Sequence, residues 1–174
     1  MGPIQAVQTC LQKYAVFSGR ASRPEFWWFF LFCLLIEIGI STTLDPFLFA
    51  IARADNAPMF FPITEMVALL FLLPSLSVTQ RRIQDTGRNP RPWMIALGLV
   101  IAFGYYWTIL DLTAAITDYE DSTLFTVLSI FTAPSILTLI ILGALLVICM
   151  QRSEPVKNIY GPMPLNNSTR SDGS

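Results

Sequence analysis

Residues 18–30 read SGRASRPEFWWFF. Arg20, Arg23 and Pro24 stand directly before an unbroken aromatic wall, and a long apolar run follows. Such a change from charge to tryptophan and phenylalanine marks the point where a chain enters a membrane. Basic side chains lie at cytoplasmic head groups, Trp27 and Trp28 occupy the interfacial belt, and hydrocarbon begins beyond them. Ser22-Arg23-Pro24-Glu25 also has the pattern of a capping box, in which Ser22 caps the helix and Glu25 reaches back to its amide. Proline is tolerated in that first turn because its missing N–H would be unpaired there.

The rest of the chain repeats this grammar. Apolar runs cover about 26–44, 63–79, 93–112 and 125–150. A helix crossing the hydrocarbon core needs about 20 residues, with about 17–25 the working range. Pro74 and Pro134 fall inside the second and fourth runs and predict kinks, whose freed backbone groups neighbouring helices can satisfy. Counted segment by segment between the runs, the basic residues number 3, 1, 4, 0 and 3. That alternation predicts four spans with both termini in the cytoplasm. The composition agrees: of 174 residues, 53% are hydrophobic and 13% charged, against about 25% charged in soluble domains. A net charge of −1 gives no indication of nucleic acid.

The expected fold is therefore all-α: an integral membrane bundle of four transmembrane helices in a single domain over residues 1–164. Residues 165–174 form a disordered cytoplasmic tail. Residues 4–17 place Ile4, Val7, Leu11 and Tyr14 on one helical face. This predicts an amphipathic N-terminal helix, lying on the inner membrane surface or covering the cytoplasmic mouth of the bundle. The run from Phe26 is too long for the core of a cleavable signal peptide. Residues 45–62, apolar but broken, are expected to lie in the outer interface or to fold over the bundle.

Composition also limits the chemistry. The chain has three cysteines and no histidine, so serine–histidine and cysteine–histidine catalysis are excluded. Zinc and copper sites lack their usual donors. No metal, cofactor or catalytic residue is expected.

Two polar features remain. Residues 81–93, RRIQDTGRNPRPW, place Asp85 four residues after Arg81 and three after Arg82. On a helix extending from the second span both arginines would bridge to it, and Thr86-Gly87 would end that helix. The arginines suit a site for lipid phosphate or another anion, or they rest as topology signals against anionic head groups. A shared G-R-x-x-R-P at 19–24 and 87–92 is compatible with a duplicated helical hairpin. Glu37 lies well inside the first span. It reads as a proton or cation site, or as a protonated glutamate bonded to a neighbour such as Ser41, Thr42 or a residue on another span.

Three motifs in order resemble the domain of unknown function 805 family, small bacterial inner-membrane proteins. Phe17, Gly19, Arg20, Arg23, Glu25, Phe26 and Trp27 match its F-x-G-R-x-x-R-x-E-[FY]-W stretch. Arg81, Arg82, Asp85, Thr86 and Trp93 match an R-R-L-H-D-T stretch with a tryptophan-led span. Asn158, Tyr160, Gly161, Pro162 and Pro164 match a closing N-x-[FY]-G-P-x-P. The family's usual histidine is Gln84 here. The resemblance implies a four-helix protein of the bacterial inner (plasma) membrane and supplies no catalytic residue.

All three motifs fall on the cytoplasmic side. They are expected to meet as one cluster of Arg20, Arg23, Glu25, Arg81, Arg82 and Asp85, closed by the turn at 160–162. The leading expectation is a non-enzymatic protein whose cluster binds a lipid head group, preferably anionic, or a partner protein, including a second copy. The alternative is a small transporter or channel component using Glu37. An enzyme acting on lipid or isoprenoid phosphates ranks last, since no paired-carboxylate or nucleophile–base set supports it.

Overall fold

The computed structural model describes residues 1–54, 63–117, 136–155, 157–162 and 164. Secondary structure among these residues is helical, with one isolated bridge between Asn158 and Gly161. The chain forms two compact units, Met1–Asn89 with Cys149–Ser174, and Pro90–Ile148. The expected tail at 165–174 lies outside the described residues.

In the first unit, α1 (Pro3–Gln12) packs on α2 (Arg23–Gly39), and α2 packs on α4 (Ile63–Asp85). Helix α1 packs on the rest of the unit through its small residues. Ala6 and Cys10 are fully buried and Val7 is partly so, while Ile4 and Leu11 are exposed. Small residues let α1 approach α2 closely, so the larger aliphatic side chains fall outside the contact. A core of Cys10, Ala21, Phe26, Phe29, Cys33, Val78 and Cys149 joins the elements. Phe29, Phe32 and Phe71 meet with ring centroids 5.7–6.4 Å apart. Trp28 is exposed as a belt residue would be, whereas Trp27 is half-buried and meets Phe26 edge to face at 5.3 Å.

The first apolar run does not stop at Leu44. A π-helical segment, Ile40–Leu44, leads directly into α3 (Asp45–Ala54), so the expected loop begins as helix. Ser41 and Thr42 both donate to the Ile38 carbonyl, at 3.2 and 2.7 Å, and Thr43 donates to Gly39 at 2.5 Å. Hydroxyls that back-bond in this way compete with the regular ladder, and a π segment is one result. The continuous helix runs from Arg23 to Ala54, and its apolar stretch is Arg23–Ile51. At 29 residues that stretch is roughly 43 Å long, beyond the hydrocarbon thickness of about 30 Å. Asp45 then accepts the Ile63 amide at 2.9 Å and the Thr64 hydroxyl at 2.5 Å. It thereby places a negative charge on the N-terminus of α4, where the helix dipole favours it.

Helix α4 runs through Pro74 and beyond the expected end of the second span to Asp85. Proline has no N–H, so the carbonyl four residues earlier, that of Leu70, loses its helical donor. The Tyr14 hydroxyl donates to that carbonyl. Ser77 donates to the carbonyls of Lys13 and Val16, both at 3.0 Å, and Gln80 donates to that of Phe17 at 3.1 Å. The turn after α1 is thus fastened along one side of α4, and α1 ends at Gln12 rather than continuing to residue 17.

In the second unit, α5 (Arg91–Thr117) is longer than the expected third span at both ends. Helix α6 (Ile136–Met150) occupies the later part of the fourth and crosses into the first unit at Cys149. Residues 125–135, with the kink expected at Pro134, lie outside the described residues.

Two helices among the described residues are long and apolar enough to cross a membrane, Arg23–Ile51 and Ile63–Asp85. Their apolar windows are 11% and 17% buried. The core helix of a soluble protein would be mostly covered by its own chain; these are not.

Candidate functional site

The site is built at helix ends. Ser22 caps α2 by accepting the Glu25 amide at 3.3 Å. The reciprocal half of the expected capping box does not form, because the Glu25 carboxylate accepts from Arg81 Nη1 at 2.6 Å instead. Arg81 therefore pairs with Glu25 and not, as expected, with Asp85. Asp85 is shared by two other arginines: Arg20 Nε donates to Oδ1 at 2.7 Å, and Arg82 Nη1 donates to Oδ2. The Ser153 hydroxyl donates to the same Oδ2.

The structure thus brings all six residues, Arg20, Arg23, Glu25, Arg81, Arg82 and Asp85, to one place. Arg23, half-buried, joins through its Nε, which donates to the Gln151 carbonyl at 2.9 Å. The burial differs from a head-group arrangement. The paired side chains of Arg20, Arg81, Arg82 and Asp85 are 0–1% exposed. Arg20, expected at the cytoplasmic head groups, lies inside the protein.

Ionised groups taken out of water carry a desolvation penalty of several kcal/mol each unless pairing and further hydrogen bonds offset it. Here much of the compensation comes from main chain. Arg82 donates to the carbonyls of Cys149 at 3.0 Å, Ala21 at 3.4 Å and Gln151. Arg20 donates to the carbonyls of Glu154 at 2.5 Å and Asp85 at 3.3 Å. All but the Ala21 carbonyl, which precedes α2, lie at or just beyond the C-termini of α4 and α6, where the helix dipole attracts cations. Glu25 occupies the first turn of α2, where it attracts anions. For Arg20, Arg82 and Glu25 the signs of side chain and helix end therefore agree; Arg23, the first residue of α2, is the exception.

The polypeptide after α6 completes the cluster. The Glu154 amide donates to the Asp85 carbonyl at 2.9 Å, and the Asn158 side chain donates to the Gln84 carbonyl at 2.9 Å. Asn158 and Gly161 also exchange backbone bonds, so the closing contact comes from Asn158 at the start of the expected turn. Beneath it, α4 ends where Gly87 adopts a φ of +76°, a left-handed conformation that glycine enters without a Cβ clash. A Cβ there would also stand 2.7 Å from the Glu154 carboxylate.

Three buried atoms have no hydrogen-bond partner among the described residues: Arg81 Nε, Arg81 Nη2 and Gln84 Oε1. Gln84 is the position where the resemblance leads one to expect histidine. Cys10 lies against Glu25, 3.9 Å from its carboxylate. Burial, followed by the Glu25 charge, pushes the Cys10 thiol up to about 12, so it is neutral at physiological pH. No group of three or more histidine, cysteine or acidic residues able to hold a metal occurs among the described residues.

Glu37 stands apart from this cluster, half-buried on α2 just before the π segment. The hydroxyls of Ser41 and Thr42, two of its expected neighbours, donate to the Ile38 carbonyl. Sequence reasoning missed Tyr14, Asp45, Ser153 and Glu154. The Tyr14 contact had a usable signal, because Pro74 announces an orphan carbonyl at position 70. The carbonyl ligands of the arginines had none, because every residue carries one.

Neither the curated proteins nor the solved structures contain a match to this chain. A family model does match, over residues 14–162, and it spans every residue of the arginine cluster. The chain belongs to the family described as Protein of unknown function (DUF805).

Proposed function

We propose that this chain is a non-enzymatic, four-span protein of a bacterial inner membrane, with both termini cytoplasmic, whose cytoplasmic face binds anionic lipid head groups. The observation that carries this reading is the division of the basic residues in the first unit. Arg20, Arg81 and Arg82 are buried and bonded to their own chain. Lys13, Arg88, Arg152 and Lys157 are exposed. Buried guanidinium groups fasten the fold, and the exposed bases meet the head groups, at about 1 kcal/mol each near an anionic surface. The alternation of basic residues between apolar runs supports the orientation.

Native mass spectrometry tests this division. Wild type should retain an anionic phospholipid such as phosphatidylglycerol. An Arg88→Gln/Arg152→Gln/Lys157→Gln variant should lose it while remaining folded. Equal retention by both proteins would refute the assignment of lipid contact to the exposed bases.

A further inference from the structure

The segment after α6 differs in character from what it covers. Arg82, Asp85 and Ile83 beneath it are fully buried. None of the described residues 151–155 and 157–162 is buried, and Ile159 is 90% exposed. Among its described residues this strap buries no apolar side chain, and hydrogen bonds fasten it to the cluster. What it offers the arginines is a set of oxygen acceptors: the Gln151 carbonyl to Arg23 and Arg82, the Glu154 carbonyl to Arg20, and the Ser153 hydroxyl to Arg82. Segments with few buried apolar contacts and many accessible backbone bonds are the ones that open locally at low free energy.

The charges are uneven as well. Among the described residues, ion pairs join Arg20 and Arg82 to Asp85 and Arg81 to Glu25, while Arg23 is bonded to a neutral carbonyl. The strap's neutral carbonyls therefore occupy donors that an anionic oxygen would satisfy more strongly, since charge-assisted hydrogen bonds are roughly twice as strong as neutral ones.

We propose that the strap is an internal, releasable ligand of the arginine cluster, standing where a phosphate oxyanion binds when the strap lifts. Arg23, the least buried of the four, is the point of entry, and Arg20 and Arg82 complete the site. The oxyanion is a phosphate, carried by a lipid head group or free in solution. The lipid source rests on the membrane-face reading above; the exchange itself does not.

Hydrogen exchange on the full-length protein in nanodiscs tests this. The Glu154 amide, bonded to Asp85, reports the strap, and the amides of residues 81–85 report α4. The comparison uses phosphatidylcholine discs, discs containing phosphatidylglycerol, and phosphatidylcholine discs with inorganic phosphate. A Ser153→Ala/Asn158→Ala variant, which loses two side-chain anchors but no cluster arginine, is run beside wild type.

The expected result is faster exchange at Glu154 with a phosphate source present, with α4 still protected. The variant should exchange roughly tenfold faster than wild type, as expected for losing one to two net hydrogen bonds. Acceleration by phosphatidylglycerol alone identifies the head group as the source. Acceleration by inorganic phosphate as well identifies any phosphate, and stands even if the exposed bases retain no lipid. Identical exchange in all three conditions overturns the proposal, and so does loss of protection in α4 together with the strap.

Discussion

Replacing Arg82 by glutamine removes the most connected side chain in the cluster. Arg82 is fully buried and donates to Asp85, to the carbonyls of Ala21, Cys149 and Gln151, and to Ser153. Glutamine has the wrong shape to reach five acceptors and carries no charge. Asp85 would keep Arg20 and Ser153, so its carboxylate is not abandoned, whereas the carbonyls beyond α6 lose a charged donor. Removing one partner of a buried ion pair typically costs about 3–5 kcal/mol. For a chain of this size, about 2–4 °C per kcal/mol gives a fall in melting temperature of roughly 6–20 °C.

Arg82→Lys retains the charge but not the planar fork and should fall between wild type and Arg82→Gln. The assay is thermal unfolding of detergent-purified protein, with the monodisperse fraction measured alongside. Unchanged melting and yield for Arg82→Gln would refute the clasp. A lysine variant equal to wild type would show that charge alone suffices and that the carbonyl contacts carry no weight.

Three further outcomes are expected. Tyr14→Phe leaves the Leu70 carbonyl without its donor and should destabilise by about 1–3 kcal/mol. Adding Pro74→Ala restores the helical N–H, so the double variant should lose less than the separate losses summed; strict additivity in the melting temperatures would contradict the Tyr14–Leu70 assignment. Cys10 titrates near 12 when folded and near 8.5 when unfolded. Its maleimide reactivity in the folded protein should therefore lie roughly a thousandfold or more below that in denaturant at pH 7 and still climb about tenfold per pH unit through pH 9, whereas in denaturant it should level off above about pH 8.5; equal reactivity in both states would contradict the burial of the thiol. The stability it lends is present below its unfolded pKa and declines as pH climbs toward the folded value. Gln84→His should fold with normal yield, as the family resemblance implies; loss of folded protein would show that the pocket around the unpartnered Gln84 oxygen has been rebuilt for glutamine.

Much of this was legible in the sequence because membranes impose simple rules. Among the described residues the apolar runs fall within helices, and the residues of the arginine motifs meet in one cluster. The failures have physical causes. The helix boundary at 44 was drawn from hydropathy, which does not register that Ser41, Thr42 and Thr43 can back-bond and carry a helix onward through a π turn. Pairing Arg81 with Asp85 used spacing on one helix, but α2 presents Glu25 across the contact, and a tertiary partner displaced the local one. Periodicity points to the large residues Ile4, Val7 and Leu11 on α1 and is silent about Ala6 and Cys10, the small residues through which the helix packs. The acceptors of Arg20, Arg23 and Arg82 include backbone carbonyls of Cys149, Gln151 and Glu154 that no residue type announces. Reading those needs the fold.

The central claim is that the arginine motifs fasten the chain to itself. The most direct measurement is solvent exchange of the arginine Nε–H protons by NMR in nanodiscs, each signal assigned through a single Arg→Lys variant. Nε of Arg20 is bonded to Asp85 and Nε of Arg82 to the Cys149 carbonyl, whereas Arg88 and Arg152 are exposed. Slow exchange at Arg20 and Arg82 with fast exchange at Arg88 and Arg152 is the predicted result. Equally fast exchange at all four would place the cluster in water and contradict the account.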